Sequence, residues 1–335
     1  MTTKPRILSG MRPTGKLHLG HFIGALDNWV QLQEKYECFY MVADWHALMS
    51  EYQDTANIHK YAMDNVLDWI ACGIDPKKSV IFLQSDIPEH LELHIILSII
   101  TPLGWLERCP TYKEQLEELK TKDIMTYGFL GYPVLQAADI LLYKANAVPV
   151  GEDQLPHLEL TREITRKFNN LYCVTRNKAP LFPEPEAKLT RFPRLLGMDR
   201  RKMSKSYDNA INLSDSPQEI NKKTQSMFTD PKRLRKTDPG HPSECNVYNY
   251  YNAFNAPNVD QIAADCHQAK IGCTECKANL GNFLLGIVKP LQDKRDELIK
   301  NPDYVKKVLD EGGQKAKAIA SATMKEVRKL LAMNH

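Results

Sequence analysis

The sequence lacks several features that would assign it to other classes of protein. No uninterrupted apolar run approaches the ~18 residues needed to span a bilayer, and the first residues contain no signal-peptide core. The net charge is only +3, which does not by itself indicate nucleic-acid binding, and no repeat or low-complexity tract is present. The composition, with 43% hydrophobic and 25% charged residues, is that of an ordinary globular protein. We therefore expect a cytoplasmic protein of about two domains.

Positive charge is concentrated in two segments of the second half. The first contains Arg191, Arg194, Arg200, Arg201, Lys202 and Lys205, and the second is the run Lys-Arg-Leu-Arg-Lys at 232–236. Such clusters are typical of a surface that binds a polyanion. For the second cluster, a merely solvated basic surface explains the residues equally well.

Strand-like and helix-like segments alternate in the first half of the chain. Apolar runs predict strands at 6–9, 38–43, 79–83 and 147–150. Helical spacing predicts helices at 19–30, 58–71, 91–100, 131–143 and 154–168. The proline-rich segment 178–193 predicts a loop over the sheet edge. The alternation predicts parallel pairing through right-handed crossovers, and thus an α/β fold with a doubly wound, Rossmann-like sheet.

Strand-like runs become rare after residue 206. Helical periodicity with frequent charges follows, for example over 278–299 and 305–331. The sequence therefore predicts a Rossmann-like domain over 1–206 and a second, mostly α-helical domain over 207–335.

Two short motifs carry most of the chemical information. The first is His18-Leu19-Gly20-His21, where a predicted strand turns into a helix. The second consists of Lys202, Met203, Ser204, Lys205 and Ser206 in a polar loop. Taken alone, the first motif also fits ordinary surface histidines and the second a plain exposed loop. Taken together, they indicate a nucleotide site.

The predicted nucleotide site lies at the carboxyl end of the first strand. Arg12, Pro13 and Thr14 fall between that strand and its helix, and Gly20 leaves room for an adenine ring. The imidazoles of the first motif and the lysines of the second can donate to phosphate oxygens when a carboxylate attacks the α-phosphate of ATP. Mg²⁺ bound to the phosphates would share their charge.

The predicted helix over 131–143 carries a polar stripe on an otherwise apolar surface. Tyr132, Gln136, Asp139 and Tyr143 are spaced four, three and four residues apart, which places them on one face. A buried carboxylate needs a partner, and a donor-only group such as an indole N–H would satisfy Asp139. The alternative is an Asp139 that pairs with a lysine or caps a neighbouring helix.

A second polar segment follows the strand predicted at 147–150. It consists of Gly151, Glu152, Asp153 and Gln154 and begins the next helix. At the carboxyl edge of a sheet, these side chains can reach an ammonium group or ribose hydroxyls. The helix dipole alone also favours an acidic first turn.

Four of the eight cysteines, Cys245, Cys266, Cys273 and Cys276, are grouped within 245–276. Structural disulfides are rare in the cytoplasm, so a four-thiolate metal site is the physical alternative, as tetrahedral zinc or as an iron–sulfur cluster. Zinc sites more often pair two Cys-x-x-Cys knuckles, whereas only one is present here. A site without metal is the third interpretation.

The two motifs, in this order, resemble the paired signatures of the class I aminoacyl-tRNA synthetases. Over roughly 6–208 the chain is similar to the bacterial tryptophanyl-tRNA synthetases. The matching segments are 10–15 (Gly-Met-Arg-Pro-Thr-Gly), 18–21, 44–47 (Asp-Trp-His-Ala), 132–143, 151–154, 159–162 and 202–206. The Cys-x₆-Cys-x₂-Cys spacing resembles the branch of that family that carries a [4Fe–4S] cluster in its anticodon-binding region.

The resemblance implies ATP-dependent activation of L-tryptophan, its transfer to tRNA(Trp) and a homodimer. It implies that Asp139 receives the indole N–H and that Tyr132 and Gln154 hold the ammonium group. It also assigns Leu8, His46 and Gln136 to the amino-acid pocket, and Arg12, Pro13, Thr14, Gly20, Gly151, Glu152, Asp153 and 202–206 to ATP. The helical domain would bind the anticodon, and its four cysteines would hold a [4Fe–4S] cluster rather than zinc.

The chain departs from the family pattern at two positions. Gln136 stands where many members have a methionine, and Arg12 where a glutamine is common. A tyrosyl-tRNA synthetase of the same class is the main alternative, because an aspartate accepts a phenol O–H as readily as an indole N–H. The others are a His-x-Gly-His nucleotidyltransferase and a synthetase-like RNA-binding regulator without activation chemistry.

Overall fold

A computed structural model describes residues 4–118, 123–190, 195–201, 203 and 207–333. Lys202, Ser204, Lys205 and Ser206 of the second motif, and Arg191 and Arg194 of the first basic segment, lie outside the described residues. The chain forms two compact units. The first unit comprises Met1–Gly15, Trp29–Thr190 and Asn301–His335, and the second comprises Lys16–Asn28 and Arg191–Lys300.

A five-stranded parallel sheet forms the centre of the first unit. Its strands are β1 (Arg6–Met11), β2 (Glu37–Val42), β3 (Ser79–Leu83), β4 (Ala147–Val150) and β5 (Glu186–Leu189), in the spatial order β3-β2-β1-β4-β5. The four predicted strands and the doubly wound α/β fold are confirmed. Because the strand order reverses between β1 and β4, their carboxyl ends form the switch point where such sheets bind ligands.

The helices connect the strands and then dominate the second half of the chain. In chain order they are α1 (Leu19–His21), α2 (Asp27–Leu32), α3 (Asp44–Glu51), α4 (Ile58–Ala71), α5 (Glu89–Ile100), α6 (Leu103–Glu107), α7 (Pro110–Glu118), α8 (Tyr127–Leu130), α9 (Tyr132–Leu142), α10 (Leu155–Tyr172), α11 (Pro217–Ser226), α12 (Asn246–Ala253), α13 (Val259–His267), α14 (Cys273–Ile299) and α15 (Pro302–Leu330). A π-helical turn, Phe22–Leu26, joins α1 to α2. In the described part of the chain, no helix is both long and apolar enough to cross a membrane.

The segment 178–193 differs from its prediction as a loop, because it contains β5. This strand pairs in parallel with β4, with Val148 opposite Ala187. Its residues, Glu-Ala-Lys-Leu, are half-buried or exposed because β5 is the edge of the sheet. A short edge strand with charged side chains carries no apolar run, which explains why the pattern missed it.

The C-terminal helix α15 belongs to the sheet unit, although the predicted boundary places it in the helical domain. It packs against β3 and α5, and its Ala316, Ala320 and Met324 join the core of the sheet. A Cβ built on Gly312 would lie only 1.8 Å from the carbonyl oxygen of Ile81. Small residues therefore let the helix backbone lie directly against the edge strand.

The second unit joins residues 16–28 to the helical segments of 191–300. The N–H of Leu19 donates to the carbonyl of Ile211 at 2.9 Å, and the N–H of Leu213 donates to the carbonyl of Leu17 at 2.9 Å. The first motif therefore belongs to this unit, although it lies near the start of the chain.

We predict that Gly312→Ala destabilises the protein by about 2 kcal/mol or more, because the added methyl group overlaps the β3 backbone. The adjacent Gly313 is the control, since a Cβ there would meet only the Asp86 carboxylate at 4.0 Å. Gly313→Ala should be neutral or stabilising by up to about 1 kcal/mol through helix propensity. Urea unfolding of both variants tests this, and equal stabilities would contradict it.

Candidate active site

A buried carboxylate, Asp139 on α9, lies at the centre of a hydrogen-bond network and is 2% exposed. Its Oδ1 accepts from Nε2 of Gln84 at 2.8 Å and from Nδ1 of His90 at 2.7 Å. Its Oδ2 accepts from Nε2 of His46 at 2.8 Å. Burial alone would raise the pKa of Asp139, but the hydrogen bonds from the two histidines outweigh it and lower this pKa to about 2. Asp139 is therefore ionised.

The ionised carboxylate fixes the tautomer of His90. Because a carboxylate only accepts, Nδ1 of His90 carries the hydrogen, and its Nε2 accepts from the hydroxyl of Tyr143 at 2.8 Å. Burial raises the pKa of the Tyr143 hydroxyl, which keeps this donor protonated. The network thus continues from Asp139 through His90 to Tyr143 in the core.

The alternative of an Asp139 that pairs with a lysine or caps a helix is wrong, because two histidines and a glutamine donate to it. A carboxylate offers about four acceptor positions. Three are occupied by protein donors, which leaves one on Oδ2 for a single further N–H or O–H.

Three different elements bring these donors to Asp139. His46 lies on α3, which follows β2, and Gln84 directly follows β3. The carboxyl ends of parallel strands meet at one edge of a sheet, where His46 and Gln84 lie. His90 lies on α5. Gln84 and His90 were not predicted from the sequence. The signal for Gln84 was a polar residue directly after a strand, and the signal for His90 was a histidine in a helix rich in Leu and Ile.

A second network joins two residues assigned to the ammonium group. The hydroxyl of Tyr132 donates to Nε2 of His157 at 2.8 Å, and Nδ1 of His157 donates to Oε1 of Gln154 at 3.1 Å. Gln154 in turn donates to Asp153 at 3.1 Å. Sequence reasoning missed His157, which lies one turn after Gln154 and is 1% exposed.

Burial, together with smaller contributions from nearby His46 and Arg12, lowers the pKa of His157 to about 4. The same burial raises the pKa of Tyr132. His157 is therefore neutral, with one nitrogen donating and the other accepting. Arg12 is exposed and Pro13 is buried, and Thr14 donates its N–H back to the Arg12 carbonyl at 2.9 Å. This turn follows Gly10, where a Cβ would lie 2.6 Å from the Met41 carbonyl oxygen.

The other predicted site residues of the sheet unit are less enclosed. Leu8 on β1 is 3% exposed and belongs to the apolar core. Gln136 is half-buried on α9, and Gly151 and Asp153 are half-buried beyond β4. Glu152 is exposed. An exposed carboxylate at this edge is open to solvent and to a ligand.

In the second unit, the first motif packs as a tight histidine pair. The ring centroids of His18 and His21 are 3.7 Å apart, and the N–H of His18 donates to Nδ1 of His21 at 3.2 Å. A Cβ built on Gly20 would lie 3.0 Å from Nδ1 of His18 and 3.3 Å from Sδ of Met203. The structure therefore brings the first motif beside Met203, which is the residue of the second motif that the structure describes.

The segment that leads into the second motif is held by α12. Nδ2 of Asn246 donates to the Gly197 carbonyl at 2.8 Å, and the Tyr250 hydroxyl donates to the Leu196 carbonyl at 2.7 Å. Both side chains are fully buried. A Cβ on Gly197 would lie 2.2 Å from Nδ2 of Asn209, so the chain is also close-packed here. The base of the predicted ATP loop is therefore rigidly anchored.

The four grouped cysteines are free thiols that influence one another. Burial, together with smaller contributions from Cys245, Cys266 and Cys273, raises the pKa of Cys276 to about 12. Burial also raises the pKa of Cys266, whereas the charge of Arg233 lowers it. Across the described ranges, no three Cys, His, Asp or Glu side chains are arranged as metal ligands. The four thiols nevertheless have the donor chemistry of a metal centre, and the buried Nε–H of Arg233, next to Cys266, finds no acceptor in the described chain.

We predict that His157 makes the stability of the protein fall at acid pH. Its ordinary pKa of 6.5 is lowered to about 4 in the folded state, so the unfolded chain binds the proton first. The contribution of neutral His157 to stability is therefore fully present well above pH ~6.5. The free energy of unfolding falls by about 2–3 kcal/mol by pH ~4.5.

Urea unfolding near pH ~7 and pH ~4.5 measures this loss. His157→Gln should lose less stability between the two conditions than the unsubstituted chain, and His59→Gln, at an exposed histidine, should lose the same amount as that chain. The prediction fails if the His157 variant also loses the full amount.

Comparison with known proteins agrees with both motifs. The sequence matches the family described as tRNA synthetases class I (W and Y) over residues 1–288. It is 52% identical to the tryptophan–tRNA ligase of Thermotoga maritima over 329 residues, 97% of this chain and 98% of that one. It is 42% identical to the corresponding ligase of Aquifex aeolicus, covering 97% and 99% of the two chains.

A solved structure supports the same grouping. The fold is similar to that of the tryptophanyl-tRNA synthetase from Campylobacter jejuni complexed with ADP and tryptophan, with a TM-score of 0.85, 34% identity and coverage of 98% and 99%. The similarity in fold covers nearly the full length of both proteins. The chain therefore belongs to the class I tRNA synthetases of the tryptophan and tyrosine group.

Proposed function

We propose that the chain is a tryptophan–tRNA ligase. It activates L-tryptophan with ATP to form tryptophanyl-adenylate and pyrophosphate, and it then transfers tryptophan to the 3′ end of tRNA(Trp). The observation that carries the choice of amino acid is the single acceptor position left on Oδ2 of Asp139. The indole N–H is one donor without an acceptor, which matches that position.

The alternative substrate, tyrosine, fits this position less well. A phenol hydroxyl both donates and accepts, so its oxygen would need a donor of its own when buried. The three donors around Asp139 already point at the carboxylate. The curated relatives at 52% and 42% identity are both named tryptophan–tRNA ligases.

In the activation step, a carboxylate oxygen of tryptophan bonds to the α-phosphorus of ATP while the bond to the bridging oxygen breaks and pyrophosphate leaves. We assign His18 and His21 to the α-phosphate oxygens. Lys202 and Lys205, with the hydroxyls of Ser204 and Ser206, stabilise the departing pyrophosphate. Mg²⁺ enters bound to the phosphates of ATP.

The remaining predicted contacts complete the two substrate pockets. Tyr132 and Gln154 hold the ammonium group, oriented by the His157 that joins them. His46, Leu8 and Gln136 line the indole side. Arg12, Pro13, Thr14, Gly20, Met203, Gly151, Glu152 and Asp153 contact ATP. In the transfer step, a hydroxyl of the terminal ribose attacks the tryptophan carbonyl, and AMP leaves.

We assign amino-acid activation to residues 1–206 and anticodon binding to the helical part of 207–335. Helix α15 is not included in the anticodon-binding part, because it packs against the sheet. Cys245, Cys266, Cys273 and Cys276 hold a [4Fe–4S] cluster, with zinc as the alternative, and its role is structural. None of the eight cysteines forms a disulfide, as is usual in a reducing cytoplasm, which is the compartment that we propose.

We predict that ATP–pyrophosphate exchange requires tryptophan and that tyrosine does not support it. Asp139→Asn should raise the KM for tryptophan by about 100-fold, since losing a buried charged acceptor costs roughly 2–3 kcal/mol. Asp68→Asn, at a buried carboxylate on α4, is the matched control and should leave KM unchanged.

In the same assay, His18→Ala separates stabilisation of the transition state from binding of tryptophan. It should lower kcat by about 100-fold and leave the KM for tryptophan unchanged, because its donor acts on the phosphate. Exchange driven by tyrosine instead of tryptophan would select the tyrosyl enzyme, and no exchange with any amino acid would contradict a synthetase.

The proposed homodimer has a candidate surface on α5. Leu91, Ile95 and Ile99 follow one another at four-residue spacing and are 36%, 52% and 77% exposed. Leu103 and Tyr127 of the same unit are 57% and 76% exposed. We assign this apolar face to a second copy of the chain, because an apolar stripe of this length is costly in water.

We predict that Ile99→Glu converts the dimer into a monomer in sedimentation equilibrium, because it places a charge in an apolar contact. Leu234→Glu is the control at a more exposed leucine, 86% exposed, and should stay dimeric. A monomeric unsubstituted chain, or an Ile99→Glu variant that remains dimeric, would exclude this surface.

A further inference from the structure

Arg233 makes contacts that neither amino-acid activation nor a general basic surface explains. Its Nη1 donates to Sγ of Cys266 at 3.9 Å, and its Nη2 donates to the Lys236 carbonyl at 2.7 Å. Its Nε–H is buried without an acceptor in the described part of the chain. The guanidinium of Arg233 is therefore held by the Lys236 carbonyl, and its Nε–H is a buried donor without an acceptor beside Cys266.

Gly240 makes this arrangement possible. A Cβ at this position would lie 2.4 Å from Sγ of Cys266 and 3.4 Å from Cδ of Arg233. The Gly240 N–H also donates to the Cys266 carbonyl at 3.0 Å. Only a residue without a side chain lets the thiol and the arginine meet here.

The neighbouring basic residues are occupied differently. Lys232 pairs with Glu244, and the alkyl chain of Lys236 lies near Gly272. Arg235 donates its backbone N–H to Asp238 at 2.7 Å. Within 232–236, Arg233 is therefore set apart by its contact with a sulfur atom.

We propose that Arg233 is the counter-cation and sulfur hydrogen-bond donor of a four-thiolate metal centre formed by Cys245, Cys266, Cys273 and Cys276. This inference rests on the proposed metal centre. Four thiolates around zinc or a [4Fe–4S]²⁺ core leave a net charge of about −2, which is costly at a partly buried site. A fixed guanidinium offsets that charge, and its spare N–H satisfies a sulfur. Arg233 is a positioning residue and does not ligate the metal.

The test uses the full chain purified without oxygen, with Arg233→Met, Arg233→Lys and the control Arg235→Met. Iron, acid-labile sulfide and zinc per chain identify the centre. The half-time of metal release to an iron or zinc chelator measures how firmly it is held. Thermal unfolding reports whether each variant is folded.

The unsubstituted chain and Arg235→Met should release metal at the same rate. Arg233→Met should release it about tenfold faster or more, and Arg233→Lys, which keeps the charge but loses the Nε–H, should fall between them. If the centre is iron–sulfur, Arg233→Met should also shift its reduction potential to a more negative value.

Equal release from Arg233→Met and the unsubstituted chain would overturn the proposal, as would equally fast release from Arg235→Met. An unsubstituted chain without iron or zinc would overturn it together with the metal centre. Tryptophan-dependent exchange by that same metal-free chain would show that the proposed ligase activity stands independently.

Discussion

The sheet unit is organised around one buried charge, the carboxylate of Asp139 on an otherwise apolar helix. A lone ionised carboxylate in such a core costs several kcal/mol, so its position is tolerated only because His46, Gln84 and His90 donate to it. Those donors come from three separate segments, which must be correctly folded before the charge is satisfied. The requirement ties the carboxyl ends of β2 and β3 to α5 and α9, and it fixes the one acceptor position that remains.

The histidines of the protein occupy two kinds of environment. His90 joins Asp139 to Tyr143 through its two ring nitrogens. His157 is neutral because it is buried between Tyr132 and Gln154. Neither histidine faces a phosphate in the proposed reaction, whereas His18 and His21 do. The buried histidines thus connect polar groups at both ring nitrogens, whereas His18 and His21 are the proposed donors to the nucleotide.

Sequence patterns predicted the elements whose side chains alternate or repeat strongly. The strands near Ile7, Phe39, Ile81 and Val148 and the helix over 58–71 were predicted within a few residues. β5 was missed because an exposed edge strand has no apolar run, and α15 was placed with the wrong unit. The reason is that periodicity shows which face of a helix is apolar but not which surface covers it.

The candidate site was predictable in part for a similar reason. Asp139, Tyr132 and Gln154 stand in recognisable segments, and they remain predictions as substrate contacts. Gln84, His90 and His157 support them from positions that carry no motif. Their partners lie 55, 49 and 25 residues away in the chain, so only the folded geometry reveals them. Sequence identifies residues that meet a ligand more readily than residues that hold those residues in place.

One short helix connects the proposed metal centre to the segment that leads into the predicted ATP loop. α12 begins at Asn246, directly after Cys245, and the side chain of Asn246 donates to the Gly197 carbonyl, five residues before the predicted ATP loop. Cys245, a ligand of the proposed metal centre, and the residue that holds the base of the predicted ATP loop are therefore neighbours in the chain. A shift of the Cys245 backbone would move Asn246 and, with it, the hydrogen bond to the Gly197 carbonyl. Binding at the cysteines and the position of the predicted loop are thereby linked through a single hydrogen bond.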